Sequence, residues 1–514
     1  MKRTSLIALL YVVLPMAMLP TLWGDPLSAG EDDVVYYYPL RNMVAEELSR
    51  GRLAMYNPRE ATGMPLLADP QSATLHPTSW LFVVLPGKAA YAATLYIAFS
   101  LAGGGAFLYM RRVGLVAPAA VFGSIVFMFC GFLVGHRVHQ SVLLAACMLP
   151  WGLWIIERLR RDAGVPPACR EGFQPSPSAV PNEVSSFSGQ ANGTHSAGGT
   201  PAPRRVWSSS FALLTPIVFW AFVAGHWPTF VHVMLIWSVY VLFRARPLIR
   251  SGVVVLAAVA LALLAAAPQL AVTMEFMSTV TRQKIGLAMA GENSFFPTSA
   301  VLAFFPFLQG SRTPNFFPQS WWGSWHLCEM LGYVGLVTLV LAATAVWRGF
   351  RKGGDAARTQ GKREHVFTGS PFCAVECSTA QKGEPVNACS QTPASLSASL
   401  SSFTPLVRAW TWMLIGAGIF MLGYYTPVYG LIHKIPVLGV MRCPARMVLA
   451  VDMALATLAA VAVHVLLSGD AAADERLRRL RRTLRTVAMS TDKRGHRRTF
   501  ADIFCISIIH SKGK

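Results

Sequence analysis

Charged residues are scarce in this sequence. Asp, Glu, Lys and Arg together make up 14% of the 514 residues, against roughly a quarter in an ordinary soluble domain. Acidic residues are scarcer than basic ones, with 25 Asp and Glu against 45 Lys and Arg. Apolar residues reach 53%, and the mean hydropathy is +0.44. So few polar side chains cannot cover a globule in water, which excludes a soluble enzyme and indicates a multi-span membrane protein.

The sequence also lacks the common catalytic and nucleotide-binding motifs. It contains no HExxH motif, serine nucleophile elbow, P-loop or dinucleotide fingerprint. Its nine cysteines are scattered; Cys373 and Cys377 have no matching histidines, so they do not indicate a zinc site. Cys328 and Cys443 both fall in predicted outer loops, and a disulfide between them stays open.

Apolar runs of about 20 residues predict membrane-crossing helices. They occur at 5–23, 90–110, 115–135, 141–156, 207–225, 228–243, 252–272, 331–347, 409–425 and 447–467. The predicted fold is an all-α polytopic membrane protein with about ten transmembrane helices and a large first extracytoplasmic loop. We interpret the first span as a retained anchor rather than a cleaved signal peptide, because it lacks a small-x-small cleavage site.

The distribution of basic residues predicts the orientation. Lys2 and Arg3 precede the first span, which places the N-terminus in the cytoplasm. With that orientation 33 of the 45 Lys and Arg fall on the cytoplasmic side. Both termini are therefore predicted to be cytoplasmic.

Spans, loops and composition divide the chain into six segments. Two membrane modules and a final helix pair alternate with two disordered cytoplasmic insertions rich in Ser, Gly, Pro and Thr and a basic tail. The segments are 1–159 with first outer loop 24–89, the insertion 160–206, the module 207–347 with outer loop 273–330, the insertion 348–408, the last two spans 409–467, and the cytoplasmic tail 468–514.

The first outer loop is the strongest candidate for chemistry. Asp32 and Asp33 directly follow the first span, beside three tyrosines, and the stretch 40–53 has helical spacing. A carboxylate at the membrane surface can act as a general base or help to hold a metal ion. The alternative is a solvated acidic turn.

Later outer loops carry cations and imidazoles. Arg137 and His139 lie in a short loop between two spans, where polar groups are costly and often functional. Arg442 and Arg446, four residues apart, are predicted to share a helix face and grip a phosphate. Interface anchoring is the alternative for Arg137 and His139. Trp321, Trp322 and Trp325 fit either an interfacial aromatic belt or sugar stacking, and Asp452 is an intramembrane carboxylate.

The first outer loop resembles that of the bacterial YfhO-like membrane proteins, relatives of the GT-C glycosyltransferases. The resemblance is carried by Asp32, the run VVYYYPLR, GRLAMYNP, GMPLLADPQS and His76-Pro77. Shorter matches follow in order along most of residues 1–467. They are Arg111-Arg112-Val113-Gly114, Cys130-Gly131-Phe132 through His139, Trp151 through Arg158, Ala224-Gly225-His226, Pro268-Gln269, Pro306 with Gly310, Glu329 through Gly335, and Met441 through Arg446.

This resemblance implies a function and a location. The chain would move a sugar from a polyprenyl-phosphate donor to a cell-envelope glycopolymer, lipid or protein on the extracytoplasmic face of the bacterial inner membrane. Asp32 corresponds to the base that activates the acceptor, with Asp33 as the fallback. Residues expected to bind substrate, the basic ones through its phosphate, are Arg137, His139, His226, Glu329, Arg442 and Arg446. No cofactor, metal or nucleic acid is expected. The alternatives are a non-catalytic transporter or flippase of a lipid-linked glycan, and a catalytically inactive assembly protein.

Overall fold

The computed structural model describes residues 3–19, 25–27, 32–60, 63–162, 203–245, 247–280, 286–310, 320–323, 326–364, 400–436, 438–439 and 441–468. Within these ranges the regular structure is helical, apart from one isolated bridge between Asn57 and Met64. The α-helices are α1 Arg3–Met18, α2 Tyr38–Ser49, α3 Leu81–Val84, α4 Gly87–Arg112, α5 Ala117–Met128, α6 Gly131–Gly135, α7 Gln140–Ala146, α8 Leu149–Asp162, α9 Pro203–Val223, α10 Trp227–Arg244, α11 Leu248–Ala265, α12 Ala267–Thr279, α13 Leu287–Ala290, α14 Leu327–Met330, α15 Leu336–Glu364, α16 Leu400–Met421, α17 Pro427–Ile432 and α18 Val448–Ser468.

Several tighter or wider helical turns connect these helices. A π-helical turn spans Asp33–Tyr37 and leads into α2. The 3-10 turns are Pro70–Ser72, Pro77–Trp80, His136–Val138, Pro297–Ala303, Gly423–Tyr425 and Pro444–Met447. The all-α prediction is confirmed for the described residues.

Within the described residues, seven helical segments are long and apolar enough to cross a membrane, judged by length and composition. They are Gly87–Arg112, Ala117–Val138, Gln140–Arg160, Trp227–Arg244, Leu248–Ala265, Phe403–Met421 and Pro444–Leu467. Three shorter apolar helices, Ser5–Met18, Ser209–Val223 and Leu336–Phe350, lie where the other three spans were predicted. The membrane character of the chain is therefore supported, whereas ten spans and the orientation stay predictions.

Two predicted spans are interrupted by proline. The run 252–272 ends as helix at Ala265 and restarts as α12, which carries Pro268 in its first turn. The run 141–156 divides between α7 and α8 just before Pro150. Proline lacks the N–H that the preceding turn needs and its ring meets the carbonyl four residues back, so a helix ends or bends there. Outer loop 273–330 consequently begins as helix, up to Thr279.

The predicted insertions and tail are only partly covered. Helix α15 continues to Glu364 and α16 begins at Leu400, so both ends of the predicted insertion 348–408 are helical rather than disordered. The middle of that insertion, most of 160–206, and the tail from 469 lie outside the described residues.

Helix α18 lies at the centre of the bundle and packs against α5, α15 and α16. Small side chains allow this packing: a Cβ added at Gly123 of α5 would lie 2.7 Å from Ala460 Cβ and 2.9 Å from the Ala456 carbonyl oxygen on α18. Close approach through small residues is the usual way in which membrane helices pack. Because α18 directly follows Arg446, this packing fixes where that arginine lies.

The first outer loop is held against the helix bundle by its backbone. Gly225 has a φ of +98°, and a Cβ there would lie 2.0 Å from the Pro70 carbonyl oxygen. Thr273 on α12 donates a hydrogen bond to the Ala68 carbonyl oxygen over 2.9 Å. The segment around Pro70 is therefore docked between the start of α10 and α12, which places the carboxylates of this loop over the ends of the helices.

Candidate functional site

Arg446 forms the centre of a buried ionic cluster. Its Nε lies 3.0 and 2.9 Å from the two carboxylate oxygens of Glu329, and its Nη2 lies 2.5 Å from Oε1. The Glu329 side chain is 2% exposed and that of Arg446 13%. Although burial opposes ionisation of Glu329, the Arg446 and His136 charges hold its pKa well below the usual value. The pair therefore joins the segment before α18 to the segment before α15.

His226 is the third member of this cluster. Its Nε2 lies 3.0 Å from Arg446 Nη1, and its Nδ1 lies 2.9 Å from Thr229 Oγ1. His226 Nδ1 also accepts the Thr229 backbone N–H over 3.1 Å, which caps the start of α10. Burial, reinforced by the Arg446 charge, lowers the pKa of His226 well below its usual value. His226, Glu329 and Arg446 come from three separate segments, and all three were predicted to bind substrate.

The prediction that Arg442 and Arg446 share a helix face is wrong. Cys443 between them has a φ of +62°, and only Pro444–Met447 forms a helical turn. Arg442 pairs with Glu292, whereas Arg446 pairs with Glu329. The left-handed residue redirects the chain, so the two guanidinium groups have different carboxylate partners. Cys443, which was considered for a disulfide with Cys328, instead accepts a hydrogen bond from Asn293 Nδ2 over 3.0 Å.

His136 and His139 connect this cluster to the first outer loop. His136 is buried, and its Nε2 lies 3.4 Å from Glu329 Oε2. His139 Nε2 lies 2.9 Å from Asp32 Oδ2, while its Nδ1 lies 3.9 Å from Cys328 Sγ. Burial first, and then the neighbouring His136, lowers the pKa of His139 to about 4. The arrangement brings Asp32, His139 and Glu329 into one continuous polar cluster.

The two candidate carboxylates have different environments. The Asp32 side chain is 52% exposed and accepts from His139. Asp33 is buried and accepts a hydrogen bond from the Tyr91 hydroxyl, while its Oδ2 has no hydrogen-bond partner among the described residues. Burial raises the pKa of Asp33 to about 7, against the opposing effects of Tyr91 and the Arg137 charge. Asp32 is therefore the carboxylate that is accessible from outside, whereas Asp33 is buried inside the protein.

The raised pKa of Asp33 predicts a pH-dependent stability. The folded state binds this proton more tightly than the unfolded chain, so stability falls as the pH rises from about 4 to about 7 and the full cost remains above that range. The pKa difference of about three units between the folded and unfolded states corresponds to a loss of at most about 4 kcal/mol in the free energy of unfolding. We expect Asp33→Asn to be more stable than the wild-type protein at pH 8, with a much smaller difference at pH 5. The measurement is the thermal unfolding midpoint in detergent at both pH values.

The control for this prediction is Asp25→Asn, which alters a half-exposed carboxylate paired with Lys88. The difference in unfolding midpoint between Asp25→Asn and the wild-type protein is expected to be nearly the same at pH 5 and pH 8. An Asp33→Asn difference that stays the same at pH 5 and pH 8 would contradict the assignment.

Among the three arginines predicted to bind phosphate, Arg137 is the one that the other described side chains leave available. It is partly exposed and forms no hydrogen bond or ion pair with a described residue, although its charge acts on Asp33. By contrast, Arg442 and Arg446 are engaged by carboxylates. Among the predicted phosphate ligands, Arg137 therefore has the most freedom to contact a bound anion.

Tyrosines of the first outer loop connect the cluster to a cavity. Tyr36 donates to Asp69 Oδ2 over 2.6 Å, and Tyr37 donates to Gln71 Oε1 over 2.8 Å. A cavity of about 320 Å³ lies between this loop and α12 and includes Tyr36, Asp69 and Trp227 in its lining. Trp227 directly follows His226 of the cluster, so the cavity and the ionic cluster are neighbours along α10.

Asp452 has a structural contact rather than a place in the cluster. Its Oδ2 accepts the Phe132 backbone N–H over 3.3 Å from within α18. That N–H lies in the first turn of α6, whose own N–H groups have no intrahelical partner. Asp452 thus positions the short helix that leads to His136.

Sequence reasoning left two residues out of the site, His136 and Cys328. His136 precedes His139 by three residues, and Cys328 directly precedes Glu329. Both were visible as neighbours of predicted site residues, but the sequence contained no signal that the two segments meet. Of the three tryptophans, Trp322 is 61% exposed and Trp325 lies outside the described residues.

Comparisons with protein-family profiles, with curated proteins and with solved structures find no match to this chain.

Proposed function

We propose that this protein is a membrane glycosyltransferase of the GT-C type, which moves a sugar from a polyprenyl-phosphate donor to an acceptor hydroxyl at the outer membrane surface. The observation that carries the proposal is the position of Asp32. Its exposed carboxylate lies beside a cluster that four separate outer segments build around His139, Glu329 and Arg446. A base placed beside fixed cationic groups is the arrangement that such a displacement needs.

The reaction would be a single displacement. Asp32 accepts the proton of the acceptor hydroxyl as its oxygen attacks the anomeric carbon of the sugar. The bond between that carbon and the phosphate oxygen breaks, and its electron pair leaves with the polyprenyl phosphate. Arg137 is the best placed cation for this phosphate, because it has no ion-pair partner among the described residues. The cavity beside Tyr36 and Trp227 offers room for one of the two substrates.

The test is transfer by the purified protein reconstituted in vesicles, with radiolabelled polyprenyl-phosphate hexose and an extract of membrane-lipid acceptors. Label that moves to an acceptor supports the proposal. If no label moves while a fluorescent analogue of the donor crosses the vesicle membrane faster than without protein, the chain is a transporter and the proposal is wrong. The same vesicles serve for both readouts, so the two functions are compared at equal protein content.

Removal of the Arg137 charge should weaken donor binding. Hydrogen bonds to charged groups contribute about 1.5–3 kcal/mol, so we expect Arg137→Gln to raise the KM for the donor by about 10- to 100-fold. The matched control is Arg52→Gln, which alters an exposed arginine of the first outer loop paired with Glu47. An equal KM in the wild-type and Arg137→Gln proteins would remove Arg137 from the phosphate site.

A further inference from the structure

We propose that His136, His139 and Cys328 form a binding site for a divalent transition-metal ion, with zinc as the best match. One ring nitrogen of each histidine and the Cys328 Sγ all lie within 4.8 Å of one another. Two imidazoles and a thiol are ligands typical of zinc. This proposal differs from the expectation of a metal-free site, and it does not depend on glycosyl transfer.

The hydrogen bonds of His136 leave one nitrogen for a metal. Its Nδ1 lies 2.9 Å from the Phe132 carbonyl oxygen, so Nδ1 carries the proton and donates. His136 Nε2 then faces Glu329 Oε2 at 3.4 Å, and this buried nitrogen has no hydrogen-bond partner of normal geometry. Two electron-rich atoms that face each other at this distance repel unless a cation lies between them, either a proton on Nε2, which makes the pair an ion pair, or a metal ion that takes the place of that proton. A buried polar atom without a partner is costly, and a metal ion would satisfy it.

His139 has the same arrangement with a carboxylate in place of a carbonyl. Its Nε2 donates to Asp32 Oδ2 over 2.9 Å, which leaves the Nδ1 lone pair directed towards Cys328 Sγ at 3.9 Å. Metal-binding histidines commonly donate their second ring N–H to a carboxylate or a backbone carbonyl, which fixes the tautomer and the ring orientation. Both histidines have such a partner.

The backbone allows the three ligands to approach one another. A Cβ added at Gly135 would lie 3.1 Å from both Cα and Cβ of Cys328, so the absence of a side chain there lets Cys328 pack against the segment that carries both histidines. Nitrogen and sulfur ligands of a tetrahedral zinc ion lie about 3.3–3.6 Å apart. The separation of 3.9 Å between His139 Nδ1 and Cys328 Sγ is already close to this value, and no two of the three ligand atoms lie more than 4.8 Å apart.

The charges around the site also suit a dication. Cys328 as a thiolate, Glu329 and Asp32 together balance the charge of Arg446 and of a divalent ion. Three protein ligands leave a fourth tetrahedral position open, which is the coordination of zinc sites that bind water or substrate. A metal ion with an open position can bind an oxygen of either water or a phosphate.

The experiment is cobalt substitution of the full chain, purified without a polyhistidine tag and treated with chelator. The background variant replaces the five cysteines outside the described residues by serine: Cys169, Cys373, Cys377, Cys389 and Cys505. We expect about one cobalt per chain, a thiolate-to-cobalt charge-transfer band and the intense visible bands of a tetrahedral site.

Variants identify the ligands. Cys328→Ser should lose the charge-transfer band, whereas the matched control Cys443→Ser, in the neighbouring outer segment, should keep it. His136→Ala and His139→Ala should lose the tetrahedral bands. Asp32→Asn should weaken cobalt binding by about 10- to 100-fold, because His139 then loses the carboxylate that orients its ring. Size-exclusion profiles and unfolding temperatures show that each variant remains folded.

Two results would overturn the proposal: no stoichiometric cobalt binding by the background protein, or an unchanged charge-transfer band in Cys328→Ser. If Cys328→Ser does not fold, X-ray absorption at the zinc edge of the background protein decides instead. One sulfur and two imidazole nitrogens support the site, and a first shell without sulfur refutes it. In both cases failure of the metal site is distinguished from failure of the proposed transferase, because neither measurement requires activity.

Discussion

Replacement of Asp32 by asparagine is expected to lower the rate of sugar transfer by about 10²- to 10⁴-fold, the contribution typical of a general base. Asparagine keeps the size and can still accept from His139, but it cannot take the acceptor proton. The exposed carboxylate is suited to this role because acceptor can reach it, whereas the buried Asp33 is already hydrogen-bonded to Tyr91. The measurement is the initial rate of label transfer at saturating donor and acceptor.

The control is Asp25→Asn, which alters a half-exposed carboxylate of the same loop that pairs with Lys88. It should retain the wild-type rate. A wild-type rate in Asp32→Asn without added metal would exclude Asp32 as the base.

Replacement of Glu329 by glutamine should destabilise the fold strongly. The change leaves the Arg446 guanidinium, 13% exposed, without its carboxylate, and breaking a buried pair from one side costs about 3–5 kcal/mol. We expect a clear drop in the thermal unfolding midpoint of the detergent-solubilised protein. Because the pair joins the segments before α15 and α18, the outer end of the bundle should become sensitive to protease in the same variant.

A double variant tests whether the loss comes from the unpaired charge. Arg446→Met in the Glu329→Gln background removes the buried cation, so it should recover much of the lost stability. Glu46→Gln is the matched control, since it alters a carboxylate of the more exposed pairs with Arg50 and Arg59. Such pairs contribute little, so its midpoint should stay near that of the wild type. A double variant less stable than Glu329→Gln would contradict this explanation.

Much of the helical architecture could be predicted from local sequence. The seven long apolar helices and the three shorter ones lie where apolar runs were found, and the helical spacing of 40–53 corresponds to α2. These elements depend on the apolarity and spacing of neighbouring residues, which the sequence states directly. The breaks before Pro150 and at Ala266 were missed, although the prolines that cause them are also local signals.

The candidate site was predictable as residue types but not as contacts. Asp32, His139, His226, Glu329 and Arg446 were all selected from the sequence, and the structure brings these five together. The prediction that Arg442 shares a helix face with Arg446 was wrong because one left-handed residue, Cys443, separates Arg442 from the helical turn. The difference between Asp32 and Asp33 could not be predicted either, since burial of Asp33 depends on Tyr91, 58 positions away.

The sequence by itself determined the class of this protein, its apolar helices and the residue types at their outer ends, because each of these follows from composition and short-range pattern. Only the tertiary structure decided which of the two candidate carboxylates is exposed, which of the three arginines predicted to bind phosphate has no ion pair with a described residue, and that Cys328 meets His139. The reason is distance along the chain: 107 positions separate Asp32 from His139, 189 separate His139 from Cys328, and 220 separate His226 from Arg446. Contacts of this kind depend on how whole helices pack, and that packing cannot be predicted from the local pattern of a single sequence.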